Sequence, residues 1–112
     1  MSTKNPQEPF YRVTVAEAKA MLSDGAHIID VRELHEYQAG HIPGVPLIPV
    51  NTVFARREEL PKDGKIVFTC AVGQRSALAC EMAAAAGIPA DRLYNLEGGT
   101  DAWIKAGEPI ER

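Results

Sequence analysis

The chain has 112 residues, of which 46% are hydrophobic and 24% are charged, and its formal net charge is -3. This length and composition are typical of one globular domain. The twelve Lys and Arg residues are scattered and form no basic run, which argues against nucleic acid or an anionic membrane as the main partner. Cys70 and Cys80 are too few for a disulfide scaffold and lack zinc-ligand spacing, so we expect no metal site.

Residues 1–9 are polar and contain two prolines, and we predict that they form a flexible lead to a domain spanning residues 10–112. The lead lacks the apolar run of a secretory signal, and no stretch of the chain approaches the ~20 apolar residues of a membrane helix. We therefore expect a cytoplasmic, reducing location, in which a free thiolate can persist.

The first half of the predicted domain alternates helix and strand. Thr14 and Glu17 form a capping-box pattern, which predicts a helix that ends near residues 24–25. The apolar run at residues 27–31 predicts a buried strand. Residues 33–38 are predicted to form one or two helical turns.

The second half of the chain continues this alternation. The predicted elements are a short strand at 47–48, a helix from Asn51 or Thr52 to about Leu60, a strand at 65–69, a helix at 76–86, a strand at 92–96 and a short helix at 101–105. Such alternation is typical of an α/β domain with a mostly parallel sheet covered by helices on both faces.

The segment after the strand at residues 65–69 carries the candidate chemistry, because α/β domains bind ligands at the carboxyl ends of parallel strands. Gly73 permits a left-handed bend that turns backbone N–H groups inward, Arg75 adds a cation, and the helix from Ser76 directs its positive end to the same point. These features favour an anion, so we expect the pKa of Cys70 to fall from ~8.5 into the range of about 3.5–7.5. The same loop would hold a cysteine persulfide. The predicted site consists of Cys70 as the nucleophile and Ala71, Val72, Gly73, Gln74, Arg75 and Ser76 as the substrate-binding loop.

Other polar residues near strand ends are interpreted as structural. We expect Asp30 to bond loop N–H groups and Arg32 to pair with Glu36, four residues further on. His41 is interpreted as a packing and hydrogen-bonding residue. Cys80 is interpreted as a small buried thiol within an alanine-rich helix.

Three segments of the chain resemble the signatures of one family. Residues 27–37 (HIIDVRELHEY) with 40–44 (GHIPG) resemble the N-terminal signature of rhodanese-like domains, and residues 96–103 (LEGGTDAW) resemble the C-terminal signature. The pattern Cys70-x-x-Gly73-x-Arg75 is similar to the active-site loop of single-domain members. The resemblance covers nearly the whole chain. It implies a five-stranded, mostly parallel sheet flanked by helices on both faces, with the cysteine at the base of a pocket.

The resemblance also implies a sulfurtransferase that works through a Cys70 persulfide. The thiolate would take sulfane sulfur from thiosulfate, a polysulfide or a low-molecular-weight persulfide, and pass it to cyanide, glutathione or a protein thiol. Neither a metal nor an organic cofactor is implied. Because Arg75 is the only charge in the loop, we expect thiosulfate, a dianion, to be a modest donor and a persulfide or polysulfide to be preferred.

Two alternative functions stay open at this point. The related Cdc25-type phosphatases and arsenate reductases have one more residue between cysteine and arginine than the four found here, and the shorter loop favours a sulfur atom over a phosphate. The second alternative is a non-catalytic binding module of the same fold, although such modules commonly lose the cysteine. It also stays open whether Arg32, Arg56 or Arg57 reaches the site.

Overall fold

A parallel sheet with helices on both sides is the framework of the computed structural model, which describes residues 3–112. In chain order the elements are β1 (Tyr11–Val13), α1 (Val15–Ser23), β2 (His27–Asp30), α2 (Leu34–Ala39), β3 (Ile66–Thr69), α3 (Gln74–Ala85), β4 (Leu93–Leu96) and α4 (Gly99–Lys105). Short 3-10 turns lie at Val50–Thr52, Arg57–Glu59 and Ala90–Arg92. Within residues 3–112, no helix has both the length and the apolar character needed to cross a membrane.

The strands lie in the order β1–β4–β3–β2 and every pair is parallel, so β3 and β4 form the middle of the sheet. Asp30 of β2 is in register with Thr69 of β3, and Phe68 of β3 is in register with Asn95 of β4. The carboxyl ends of these strands therefore meet at one edge. The loops that follow β3 and β4 are neighbours there.

Helices cover both faces of the sheet, and the buried strands contribute side chains to a hydrophobic core on each face. On one face, Ile29 and Phe68 pack into the core that includes α3. On the other face, Ile28 and Val67 pack into the core that includes α1 and Trp103 of α4. Successive side chains of a strand point to opposite faces, so a nearly continuous apolar strand is the sequence pattern that this arrangement requires. The predicted parallel sheet between helices is confirmed.

The number of strands predicted from the family resemblance is wrong, because residues 3–112 contain four strands and not five. Residues 47–48, predicted as a strand, form only an isolated bridge between Leu47 and Asp30. Pro46 and Pro49 flank this bridge, and proline cannot donate an N–H group to a ladder. The edge strand β1 was not predicted, since three residues are too few to show a periodic pattern.

The helix predicted for residues 51–60 is also wrong, because this region forms two 3-10 turns instead. Their hydrogen bonds span three residues, from the Val53 N–H to the Val50 carbonyl and from the Leu60 N–H to the Arg57 carbonyl, both at 3.2 Å. The β-branched side chains at the start of the segment are stiff and lower its helix propensity. Val53 and Leu60 are both buried in the core on the α3 side, which holds the segment against the domain without a regular helix.

The start of α1 agrees with the predicted capping box. The Glu17 N–H donates to Thr14 Oγ1 at 3.2 Å, and the Thr14 N–H donates to Glu17 Oε1 at 2.8 Å. Thr3 exchanges backbone hydrogen bonds with Arg12 of β1, and Glu8 forms an ion pair with Arg12. The flexibility of residues 1–9 and the domain boundary at residue 10 stay predictions.

Candidate active site

Cys70 lies at the carboxyl edge of the sheet, directly after β3. β3 runs between β2 and β4, and all four of its residues are buried, so the chain leaves the centre of the sheet at Thr69. Cys70 is 1% exposed and belongs to the core on the α3 side. The candidate nucleophile is therefore at a position where α/β domains bind ligands, but it is closely covered by its own loop.

The loop after Cys70 folds back over the sulfur atom. Gly73 has a φ of +103°, in the left-handed region that favours glycine, and it is the N-cap of α3. This bend directs the Gly73 N–H at Cys70 Sγ, with a distance of 3.1 Å. α3 begins at Gln74, two residues before the predicted start at Ser76. The positive end of the helix dipole is thereby brought to the sulfur.

The outer side of the loop is held by the start of α4. The Thr100 N–H donates to the Cys70 carbonyl at 2.7 Å, and the Asp101 N–H donates to the Ala71 carbonyl at 3.1 Å. Gly99 makes this close approach possible, because a Cβ at this position would lie 2.4 Å from the Cys70 carbonyl oxygen. With these carbonyls bound to α4, the N–H groups of the loop are left to face the sulfur.

Two buried polar side chains complete the surroundings of the sulfur. Ser76 Oγ lies 3.4 Å from Cys70 Sγ, and the Ser76 hydroxyl donates to Asn95 Oδ1. Asn95 Nδ2 donates to the Gly73 carbonyl at 3.1 Å. Ser76 is a predicted loop residue, whereas Asn95 was missed. Asn95 could have been identified because it is a polar residue within the otherwise largely apolar strand Leu93–Leu96. A buried polar side chain is uncommon and often marks a functional position.

The pKa of the Cys70 thiol is lowered from its ordinary value. Burial is the largest single influence and acts in the opposite direction, since it disfavours the charged thiolate. It is outweighed by hydrogen bonds from the Ser76 hydroxyl and from the backbone N–H groups of Ser76, Gly73 and Val72. The loop therefore favours the thiolate, which is the nucleophilic form of cysteine.

Arg75 directs its guanidinium group to Glu36 of α2. Nη1 and Nη2 donate to the two carboxylate oxygens at 2.7 and 2.9 Å. Hydrogen bonding to Arg75 lowers the pKa of Glu36 to about 2, and the same pair raises the pKa of Arg75. The positive charge of Arg75, which the sequence places beside the loop, is thus largely neutralised by the carboxylate of Glu36, 39 residues away in the chain.

The predicted pair between Arg32 and Glu36 is wrong. Arg32 Nη2 binds Asp30 Oδ2 and the Gly40 carbonyl, both at 2.8 Å, while Glu36 is taken by Arg75. A guanidinium that binds a buried carboxylate through several N–H groups is held more strongly than in an exposed contact along a helix. The Arg32 N–H also donates to Asp30 Oδ1 at 3.0 Å, which confirms the predicted role of Asp30 as a bonding partner of loop N–H groups.

Cys80 and His41 have the structural surroundings that were predicted. Cys80 is fully buried on α3, and its thiol donates to the Tyr94 carbonyl at 3.4 Å. Burial raises the pKa of Cys80 well above its ordinary value, so this residue stays a thiol. His41 stacks on Tyr37 with ring centres 3.8 Å apart. Both cysteines are free.

Besides Arg32, the other two arginines left open by the sequence, Arg56 and Arg57, also have partners outside the loop. Arg56 Nη2 pairs with Glu59 at 2.8 Å, and the guanidinium of Arg57 lies 4.6 Å from the centre of the Phe54 ring. Among the predicted loop residues, Val72 and Gln74 are exposed, Ala71, Gly73 and Arg75 are half-buried, and Ser76 is buried.

A cavity of about 350 Å³ lies on the β2 side of the sheet and does not include Cys70. It is lined by His27, Val45, Leu47 and Arg56 among others. Cys70 itself is 1% exposed, and the pocket that the family resemblance implies at this residue stays a prediction. Within residues 3–112, no group of three or more His, Cys, Asp or Glu side chains is arranged to hold a metal ion.

Comparisons with known proteins agree with this geometry. Residues 14–106 match the rhodanese-like domain family. A sulfurtransferase of Allochromatium vinosum is 36% identical over 83 residues, which are 74% of this chain and 76% of that protein. The thiosulfate sulfurtransferase GlpE of Pseudoalteromonas translucida is 30% identical over 105 residues, or 92% of this chain and 98% of that protein. The crystal structure of a rhodanese-related protein from Thermoplasma volcanium has a TM-score of 0.79 at 29% identity, covering 89% of this chain and 96% of that one. The chain belongs to the rhodanese-like domain family.

Proposed function

We propose that this protein is a sulfurtransferase that carries sulfane sulfur as a persulfide on Cys70. The observation that carries the proposal is the set of hydrogen-bonding groups around one buried sulfur atom. The Gly73 N–H lies 3.1 Å from Cys70 Sγ and Ser76 Oγ lies 3.4 Å from it. Donors directed at a buried sulfur at the start of a helix stabilise negative charge there, first on a thiolate and then on a persulfide. The sulfurtransferase relatives support the same assignment.

In the proposed first half-reaction, an electron pair of the Cys70 thiolate forms a bond to the outer sulfur of the donor. The bond between that sulfur and the rest of the donor breaks. The leaving group departs with the electron pair, as sulfite from thiosulfate or as a thiolate from a persulfide. Cys70 then carries a second sulfur atom, and the negative charge lies on this outer sulfur within reach of the loop N–H groups.

In the proposed second half-reaction, an acceptor thiolate or cyanide attacks the outer sulfur. The bond to Cys70 breaks, and the Cys70 thiolate leaves with the electron pair. Hydrogen bonds that lower the pKa of Cys70 assist this step, because a thiolate of lower basicity is a better leaving group. The same loop thus serves both halves of a ping-pong cycle.

We further propose that persulfides and polysulfides are better donors than thiosulfate. The guanidinium of Arg75 is bound by both carboxylate oxygens of Glu36, so little positive charge is left for a dianion. Val72, which is 54% exposed, presents an apolar side chain on the loop. A persulfide has a single negative charge at its reacting end, as does a polysulfide in its singly protonated form. One charge loses less hydration than the two charges of the small thiosulfate ion when it enters such surroundings.

The proposed reaction belongs in the cytoplasm and uses neither a metal nor an organic cofactor. The reaction needs Cys70 as a free thiolate, a state that a reducing compartment such as the cytoplasm maintains. Each proposed step is a displacement at sulfur, which needs only the enzyme thiolate, a donor and an acceptor.

Steady-state kinetics with two donors test this proposal. Thiosulfate and glutathione persulfide are each varied against cyanide, and thiocyanate is measured. We expect parallel double-reciprocal lines for both donors, a higher kcat/KM for glutathione persulfide, and no turnover by Cys70→Ser. Intersecting lines, or turnover by a folded Cys70→Ser variant, would exclude a covalent sulfur intermediate on Cys70. Hydrolysis of p-nitrophenyl phosphate without any sulfur transfer would favour the phosphatase alternative.

A further inference from the structure

One buried hydroxyl, that of Ser76, faces two groups that can accept its hydrogen bond. Ser76 Oγ lies 3.4 Å from Cys70 Sγ and is also bonded to Asn95 Oδ1. Ser76 is fully buried and Asn95 is 1% exposed, so bulk water has little access to replace either contact. A hydroxyl has a single proton to donate. It can therefore serve only one of these two acceptors at a time.

The orientation of the Asn95 side chain is set by its other contact. Asn95 Nδ2 donates to the Gly73 carbonyl at 3.1 Å. In the reversed orientation, two oxygen atoms would face each other at this distance, and no hydrogen bond could form. Asn95 Oδ1, a pure acceptor, is therefore the atom that faces Ser76.

The number of available protons differs between the states of Cys70. When Cys70 is a thiol, its S–H can donate to Ser76 Oγ while the Ser76 hydroxyl donates to Asn95, and every acceptor is satisfied. When Cys70 is a thiolate, the sulfur and Asn95 Oδ1 compete for the one remaining proton. In the persulfide the charge has moved to the outer sulfur, so the hydroxyl is free to return to Asn95.

We propose that Asn95 is a positioning residue that competes with Cys70 for the hydrogen bond of the Ser76 hydroxyl, so that this hydroxyl turns to Cys70 in the thiolate state and to Asn95 in the persulfide state. The persulfide part of this statement rests on the proposed function. No proton leaves Ser76, and only the direction of its O–H bond changes. By accepting the hydroxyl, Asn95 limits how strongly the loop stabilises the bare thiolate, and it satisfies the hydroxyl once sulfur is loaded.

The other groups around Cys70 do not compete for this proton. Arg75 of α3 acts on Cys70 through its charge, and its guanidinium is bound by Glu36 of α2. α4 contributes the backbone N–H groups of Thr100 and Asp101, which bind carbonyls of the loop. The competition is thus confined to the hydroxyl, the sulfur and one amide oxygen.

Two substitutions with opposite expected effects test the proposal. The pKa of Cys70 is measured on reduced protein without any donor, from the ultraviolet absorbance of the thiolate. The same titration is recorded for each variant with Cys70→Ser added. Subtracting this curve removes the absorbance change that comes from groups other than Cys70. Ser76→Ala removes a donor to the thiolate and should raise the pKa by about one unit. Asn95→Leu removes the competing acceptor at similar volume and should lower the pKa by about one unit.

A residue that only supported the loop would not give this pattern. In a Ser76→Ala background, Asn95→Leu should no longer lower the pKa of Cys70, because no hydroxyl remains to be released. A raised or unchanged pKa in Asn95→Leu, or the same lowering with and without Ser76, would overturn the proposal. These titrations involve no sulfur transfer, so the proposed function can fail or hold independently of them.

A measurement on the wild-type chain covers the case in which Asn95→Leu does not fold. The NMR signals of the Asn95 side-chain amide should shift with the titration of Cys70, because Asn95 Oδ1 loses its hydrogen bond as the thiolate forms. In Ser76→Ala, the Asn95 amide signals should no longer follow the titration of Cys70. Asn95 amide signals that ignore the Cys70 titration in the wild-type chain would also overturn the proposal.

Discussion

Gly99→Ala is expected to damage both the stability of the domain and the candidate site. Gly99 has a φ of +59°, and a Cβ at this position would lie 2.4 Å from the Cys70 carbonyl oxygen and 2.7 Å from two backbone atoms of Ala71. Contacts this short with backbone cannot be relieved by turning a side chain. The loop and the start of α4 would have to move apart, which weakens the hydrogen bond from the Thr100 N–H to the Cys70 carbonyl.

The expected loss of stability has two parts. A left-handed conformation costs alanine about 1–2 kcal/mol. Overpacking of a well-packed site adds about 1–3 kcal/mol, so the free energy of unfolding should fall by about 2–5 kcal/mol in total. Domains of this kind are stable by only about 5–15 kcal/mol, so the loss is a large fraction of the whole.

Gly107→Ala is the matched control for this experiment. Gly107 also has a positive φ, of +78°, but no atom lies within 4 Å of the position that its Cβ would take. Gly107→Ala should therefore show only the conformational cost of about 1–2 kcal/mol and keep its sulfur transfer. Urea unfolding followed by circular dichroism measures both variants. Equal losses of stability, or unchanged sulfur transfer in Gly99→Ala, would refute the argument that Gly99 is required for contact between α4 and the loop.

Three further predictions concern the charges and the second cysteine. Glu36→Gln removes the counter-charge of Arg75 and should lower KM for thiosulfate more than KM for glutathione persulfide; an equal change for both donors would contradict the proposed donor preference. The pKa of Glu36 is lowered from an ordinary value of 4.5 to about 2, so its ion pair stabilises the fold fully above pH 4.5 and loses this effect as the pH falls towards 2. The difference in unfolding free energy between wild type and Glu36→Gln should shrink over that range, and a difference independent of pH would show that the ion pair is not its source. Cys80→Ser should keep sulfur transfer, because the pKa of Cys80 is raised well above its ordinary value and its thiol only contacts the Tyr94 carbonyl; a folded but inactive variant would indicate a two-cysteine mechanism.

The main elements of the fold could be predicted because their signals are local. Strands β2, β3 and β4 are short apolar runs, as expected of parallel strands that are buried on both faces. The capping box of Thr14 and Glu17 gave the start of α1. β1 was missed because its place in the sheet depends on pairing with β4, which lies about 80 residues further along the chain. The 3-10 turns were missed because the possible cap residues Asn51 and Thr52 suggest a helix, whereas the β-branched residues lower the helix propensity and the burial of Val53 and Leu60 holds the segment in place without one.

The candidate site was predictable only where its residues are close in sequence. The positions of Cys70, Gly73 and Ser76 follow from a strand, a glycine and a helix within one short segment. The partners that complete the site come from other elements. Glu36 from α2 and Asn95 from β4 meet the loop only after folding, and no periodic pattern indicates which side chain they bind. The net charge of the site could not be predicted for the same reason.

Intact mass spectrometry after incubation with a sulfur donor tests the central claim most directly. Wild-type protein, Cys70→Ser and Cys80→Ser are each treated separately with thiosulfate, glutathione persulfide and polysulfide, and the modified residue is located by peptide mapping. We expect the wild-type chain and Cys80→Ser to gain the mass of one sulfur atom on Cys70, fastest with a persulfide or polysulfide, and to lose it when an acceptor thiol is added. Cys70→Ser should gain none. A wild-type chain that gains no sulfur from any donor, or a sulfur atom that is carried on Cys80, would contradict the account.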